Sequence, residues 1–227
     1  MGKAISTVHS VPYYAQWASA HLVEGIVTGR IPASEDPAWA DYGATSPEQY
    51  EWWSWRLCGV ACLRMALEYF GHTVPSPMEL AAECVTASAY VKHDDGLQGL
   101  IYAPFASWVE ARFGLVAEVR PTLPAAEIPG ILAHGRLPML SVHPSIRHPD
   151  AEPPRTGGHL VLAVGATEQS LAIHNPSGYP GASQEYAQVP WDRLGKFYAN
   201  RGVILGAGQS GGGTAPGETV TPVSSAS

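Results

Sequence analysis

The sequence predicts an α+β fold, on three observations. Helical periodicity with start and stop signals dominates the first part of the chain. β-rich apolar runs bounded by glycine and proline gather toward the end, and two of them lie close enough to pair as a hairpin. With 227 residues, 45% of them hydrophobic and 15% charged, the chain can bury one real core.

Val8 to Tyr14 is β-branched and aromatic and is expected to be a first strand, ending at Gln16. Residues 17–57 follow with five tryptophans: Trp17, Trp39, Trp52, Trp53 and Trp55. Leu22 to Val27 reads as a helical turn. Ser46 as N-cap with Pro47 at the first helical position starts a second helix. Indoles give large rigid contact area, so this segment either plugs a core edge, the simpler reading, or walls a cleft.

From Trp55 to Leu67 a short loop runs into an apolar helix. Cys58, Cys62, Met65, Ala66 and Tyr69 fall on one helical face, and Gly71 is a left-handed stop. Ser76-Pro-Met-Glu is a capping box opening a helix to about Ser88, with Cys84 in its core face. Tyr90 to Gly99 reads as a polar loop. A helix from Pro104 to Phe113 is stopped by Gly114, and Leu115 to Val119 is a strand candidate. Pro124 to His134 reads as a helix ended by Gly135, and Leu137 to His143 as a buried strand. Residues 144–157 are rich in proline and aperiodic, a long surface loop of the kind found at sites. Gly157-Gly158-His159 then leads into a strand, Thr167 to Ser170 turns, and Leu171 to Pro176 returns. Val189 to Tyr198 is read as a short helix and Gly202 to Leu205 as a last strand. Residues 1–206 are expected to form one domain, and the Gly/Ser/Pro tail 207–227 to be disordered.

Composition excludes several functions. The formal net charge is −7 and no block of Lys and Arg occurs, so no nucleic-acid partner is expected. No apolar run is long enough to span a membrane, and Met1 to Tyr14 lacks the apolar core of a signal peptide. Three cysteines make a disulfide scaffold improbable and suit a reducing cytoplasm. Cys58 and Cys62 lie one helical turn apart without a second Cys or His pair at ligand spacing, so a zinc site is not expected.

The chemistry-bearing residues form a pattern. Cys58 opens a helix, where backbone N–H groups lack partners and favour an anion, so its thiol is expected to be more acidic than a free one at about 8.5. The competing reading is a buried structural thiol. His159 opens one strand of the predicted hairpin and Asn175 closes the other, so antiparallel pairing brings them together. Asparagine can hold an imidazole tautomer while the imidazole serves a thiol. Gly157 and Gly158 would leave room for a substrate backbone.

Val11-Pro-Tyr-Tyr-Ala-Gln, Cys58-Gly-Val-Ala-Cys-Leu-Arg-Met-Ala-Leu, Gly158-His-Leu-Val-Leu-Ala-Val-Gly and Asn175-Pro together resemble the papain-like cysteine peptidases. They are most similar to the bacteriocin-processing branch, which trims leader peptides, and to its stand-alone bacterial relatives. The resemblance implies a papain-like fold, with a helical half bearing Cys58 packed on a twisted antiparallel sheet. It implies Cys58 as nucleophile, His159 as general base and acid, and Asn175 as orienter, where many relatives of that branch carry aspartate. Gln16 matches the oxyanion-hole glutamine by its neighbours, with residues 17–57 as an insertion, while Gln49 matches better by distance from the cysteine. Trp55, Gly157 and Gly158 are expected against the substrate. The implied reaction is peptide-bond hydrolysis through a thioester, with no metal or organic cofactor. The alternatives are a transpeptidase or cyclase with the same triad, a non-catalytic peptide-binding module, and a scaffold. Oligomeric state is left open.

Overall fold

The structure is a computed structural model that describes residues 7–94 and 96–208, so the predicted tail from 209 onward lies outside the described residues. In chain order its elements begin with β1 (Thr7–Val8), α1 (Val23–Val27), α2 (Pro47–Ser54), α3 (Cys58–Tyr69) and α4 (Pro77–Thr86). The hairpin β2 (Val91–His93) and β3 (Gly96–Gln98) follows, then α5 (Tyr102–Phe113), β4 (Val116–Arg120) and α6 (Ile128–Ala133). The chain closes with β5 (Leu137–Val142), β6 (His159–Ala166), β7 (Ser170–His174), β8 (Ala187–Pro190), α7 (Trp191–Phe197) and β9 (Tyr198–Gly206). The large sheet is antiparallel throughout, in the order β4-β9-β5-β6-β7-β8, with β1 pairing the far end of β6. Helices on an antiparallel sheet are the predicted α+β class.

The apolar helix predicted after Trp55, with Cys58 at its start, is α3. Val60, Cys62, Leu63, Met65, Ala66 and Leu67 are fully buried, each large side chain contributing roughly 1.5–3 kcal/mol by leaving water. Its buried face packs on β6, which is itself buried along its whole length. Gly59 lets that contact close, since a methyl group there would meet Leu100 at 2.9 Å and Leu160 at 3.1 Å. The helix ends where expected, with Gly71 left-handed at φ 80°.

Several elements differ from the sequence reading. The first strand is only Thr7–Val8. Beyond it Pro12 offers no N–H to a ladder, and the segment is held by side chains instead: His174 Nε2 to the Val11 carbonyl at 2.9 Å and Tyr13 OH to the Asn175 carbonyl at 3.0 Å. Tyr90 to Gly99, expected as a loop, contains the β2–β3 hairpin. Val189, expected to open a helix, lies in the edge strand β8, and the helix starts at Trp191. The last strand is longer than predicted, beginning at Tyr198.

Residues 17–57 fold around one buried carboxylate. Asp36, with no exposed surface, accepts from Ser19 N (3.0 Å), Ser19 Oγ (2.6 Å), Ala38 N (3.0 Å) and Tyr50 OH (2.5 Å). Burial works to raise its pKa, but these hydrogen bonds outweigh it and the carboxyl is held below its usual value. Trp17 and Trp53 are buried, as a plug requires, whereas Trp55 is 45% exposed.

Candidate active site

Three elements bring the predicted residues together. Cys58 is the first residue of α3 and is half-buried. His159 is the first residue of β6, and Asn175 directly follows β7. Leu160 stitches the two halves: the Cys62 thiol lies 3.6 Å from its carbonyl, and its backbone bonds toward the Cys58 sulfur. The start of the helix is thereby held against the start of the strand.

Cys58 and His159 line one cleft of about 370 Å³, with Trp55, Arg56, Gly158 and Arg201 also in its wall. Among the described residues no hydrogen bond joins the thiol to the ring; bonds of this kind often tighten only when substrate is bound. The ring's other anchor is firm. His159 Nε2 lies 2.9 Å from Asn175 Oδ1, with both side chains buried. That contact fixes the Nε2–H tautomer and leaves Nδ1 as the nitrogen free to take a proton.

Asn175 is itself oriented. Its Oδ1 also accepts from Ser177 N at 3.1 Å, which excludes a flipped amide, and its Nδ2 is buried without a partner. Ser177 Oγ sits 3.1 Å from His159 Nε2, and Arg147 Nη2 donates to that same Oγ at 2.8 Å. Arg147 Nε also donates to the Ser177 carbonyl at 3.1 Å. Neither Ser177 nor Arg147 stands out in the sequence. The only available signal was Asn-Pro-Ser-Gly, where the asparagine side chain can accept from the backbone N–H two residues on and close an Asx-type turn. Gly178 is required there, because a methyl group would meet the Ser183 carbonyl oxygen at 1.9 Å.

Electrostatics correct one expectation. Burial raises the Cys58 pKa above its ordinary value, and backbone hydrogen bonds from Leu160, Gly59 and its own amide offset this only in part. The thiol is therefore less acidic than a free one, the reverse of the reading from its helix position. Desolvation outweighs the helix terminus because no cation among the described residues acts on the sulfur. His159 is pushed down to about 4, first by burial and then by Arg147 and His143, with the Asn175 bond acting in the opposite sense. Near neutral pH the resting pair is a thiol and a neutral imidazole, not an ion pair.

The remaining predicted residues are placed as follows. Gln16 is buried, its Nε2 donating to the Ser54 carbonyl at 2.7 Å and its Oε1 unpartnered. Ser54 closes α2 four residues before Cys58, so this bond ties Gln16, far upstream, to the segment that leads into the helix of the thiol. Gln49 is occupied elsewhere, its Oε1 accepting from Thr45 N at 2.7 Å at the start of α2. Trp55 stands at the cleft wall and packs edge-on against Trp17 at 5.0 Å. Gly158 lines the cleft at φ 100°. Gly157 lies buried behind it, donating its N–H to the Phe197 carbonyl at 3.1 Å, so it shapes the turn rather than the cleft wall.

The family's own pattern decides the relationship: the model of the peptidase C39-like family matches residues 8–203. The chain belongs to that family. Membership supports a hydrolytic, peptide-processing role and agrees with the helices-on-antiparallel-sheet architecture described above. Among solved structures, a C39-like peptidase from Bacillus anthracis is 16% identical, with a TM-score of 0.49, covering 69% of this chain and 90% of that one. The peptidase domain of Streptococcus ComA, a bi-functional ABC transporter of a quorum-sensing pathway, is 14% identical, with a TM-score of 0.45, covering 67% of this chain and 92% of that one. No curated protein matches the chain. Among the described residues no helix is long and apolar enough to cross a membrane.

Proposed function

We propose that the protein is a cysteine peptidase that cleaves a peptide bond through a thioester on Cys58, with His159 as general base and acid and Asn175 holding the ring. The observation that carries this reading is the 2.9 Å bond between His159 and Asn175 at the wall of the cleft that also exposes Cys58. His159 Nδ1 takes the thiol proton as sulfur attacks the peptide carbonyl. The same proton passes to the leaving amine, and the neutral imidazole then activates water to release the acyl group. Gln16 and the Cys58 backbone N–H are the proposed donors to the oxyanion. A free amine in place of water would give transpeptidation on the same machinery. A single domain over 1–206 and a cytoplasmic location remain part of this reading, in keeping with three free cysteines.

The test is cleavage of a mixed peptide library by the wild type and by Cys58→Ala. The substitution should remove turnover altogether while changing the melting temperature little, because the thiol is half-buried at a helix start. Undiminished cleavage by Cys58→Ala would end the nucleophile assignment. An inert wild type that still retains peptides with micromolar affinity would favour the non-catalytic binding module.

A further inference from the structure

The positive charges of this chain are sorted by place. Arg30, Arg112, Arg120, Arg136, Arg193 and Lys196 each pair with a carboxylate. Six other described lysines and arginines form no salt bridge among the described residues; two of these line the cleft, and three more stand beside or behind residues of its wall. Arg56 and Arg201 line it. Arg155 lies over Gly158, its Nη1 3.2 Å from where a side chain on that glycine would begin. Lys92 stands 5.0 Å from the Trp53 ring on the neighbouring hairpin, and Arg147 sits behind His159. Only Arg64 is elsewhere. Among the described residues no aspartate or glutamate lines the cleft, nor the adjoining hollow of about 430 Å³ beyond Tyr102, whose wall also includes Gln98, Val119 and Arg201.

A protein with formal net charge −7 has carboxylates enough to neutralise these cations. Clustered like charges left without counterions repel one another, and the arrangement is relieved when an anion enters. Arg56 is already ordered for this role: it stacks 4.2 Å from the Trp52 ring and donates one Nη1 proton to the Trp52 carbonyl, which leaves the rest of its fork uncommitted. Arg201 stands between the two hollows, so an extended peptide running from one to the other passes it.

We propose that the cleft selects peptides carrying aspartate or glutamate beside the scissile bond, with Arg56 and Arg201 as the specificity-determining residues that receive the carboxylates. This rests on the peptidase reading above and adds the chemical class of its substrate. Planar guanidinium forks suit carboxylates in two-point contact, and burial in a cleft strengthens such bonds over those made in open water.

The experiment is library cleavage read by mass spectrometry, followed by matched peptides that differ only in Asp/Glu against Asn/Gln. Cleavage sites should be enriched in acidic residues, and kcat/KM should favour the acidic peptide by roughly ten-fold or more, the scale of a charge-assisted contact. That ratio should fall several-fold in Arg56→Gln and in Arg201→Gln, recover only in part in Arg201→Lys, which keeps the charge without the two-point fork, and stay put in Arg112→Gln, whose arginine is already paired. It should also shrink toward about 1 M salt, where screening acts within roughly 3 Å. Cleavage with a ratio near one, or a ratio indifferent to both glutamine variants, overturns the charge proposal and leaves the peptidase reading standing. A wild type that cleaves nothing and leaves Cys58 unacylated overturns both.

Discussion

The two sides of the cleft are built differently. On the imidazole side, His159 is held by Asn175, Asn175 by Ser177, and Ser177 by Arg147, all through directional hydrogen bonds between 2.8 and 3.1 Å. On the thiol side, the backbone amides of Leu160, Gly59 and Cys58 itself reach toward the sulfur, and Cys58 takes its position from the packing of α3. Burial suppresses ionisation on both sides. The comparison teaches that the imidazole is tightly oriented while the thiol is left neutral, so under the proposed mechanism sulfur would become a thiolate only as its proton moves to the ring. Aspartate in place of Asn175 would stabilise the imidazolium more strongly; asparagine orients without adding charge, in keeping with a neutral resting pair.

The largest effect expected from breaking this contrast lies on the thiol side. Gln16→Ala removes the proposed side-chain donor to the oxyanion and should lower kcat by about two orders of magnitude, measured on any peptide found by the library. Gln49→Ala should leave kcat alone and cost about 1 kcal/mol in denaturant unfolding, as a lost helix-start contact does. The opposite result would exchange the two glutamines' roles.

Next in size is a pH effect on stability from the imidazole side. His159 titrates at about 4 when folded, against an ordinary 6.5. Between those values the unfolded chain binds a proton that the folded chain refuses. Stability therefore falls as pH drops from 6.5 toward 4, by on the order of 2–3 kcal/mol, and levels off below. His174, buried and also shifted down, adds a change of the same sign. Urea unfolding across this range should show a shallower dependence in His159→Gln than in the wild type, and equal slopes would contradict the burial argument.

The smallest effect sharpens the link between the networks. Arg147→Met removes the charge that, after burial, most lowers the His159 pKa, so that pKa should rise. The acid limb of kcat/KM should move from about 4 toward neutral by up to roughly one unit. An unmoved limb with reduced kcat would make Arg147 a purely structural brace of Ser177.

Much of this was legible in the sequence where periodicity and punctuation carry it. α3, α4, α5, β5 and the β6–β7 hairpin follow from apolar spacing and glycine stops, and the meeting of His159 with Asn175 follows from antiparallel pairing alone. β2–β3 was hidden because its ladder is three pairs long and mixes types, Val91 with Gln98, Lys92 with Leu97 and His93 with Gly96, so no alternating apolar face shows in the sequence. The strand expected through Tyr14 was hidden for the opposite reason: its apolar residues pack through side chains while Pro12 breaks the ladder. The Cys58 acidity was misjudged because a helix start is visible in sequence, while the burial that outweighs it is not. Ser177 and Arg147 come from the end of a hairpin and a distant loop, and no spacing rule joins them.

The central claim is that Cys58 becomes acylated. The direct measurement is acid quenching during turnover of an activated peptide ester, followed by peptide mapping by mass spectrometry. The account predicts one acyl group on the fragment containing Cys58, with none on the fragments of Cys62 or Cys84, and no adduct in Cys58→Ala. Sustained turnover with Cys58 unmodified, or an acyl group on another side chain, would contradict it.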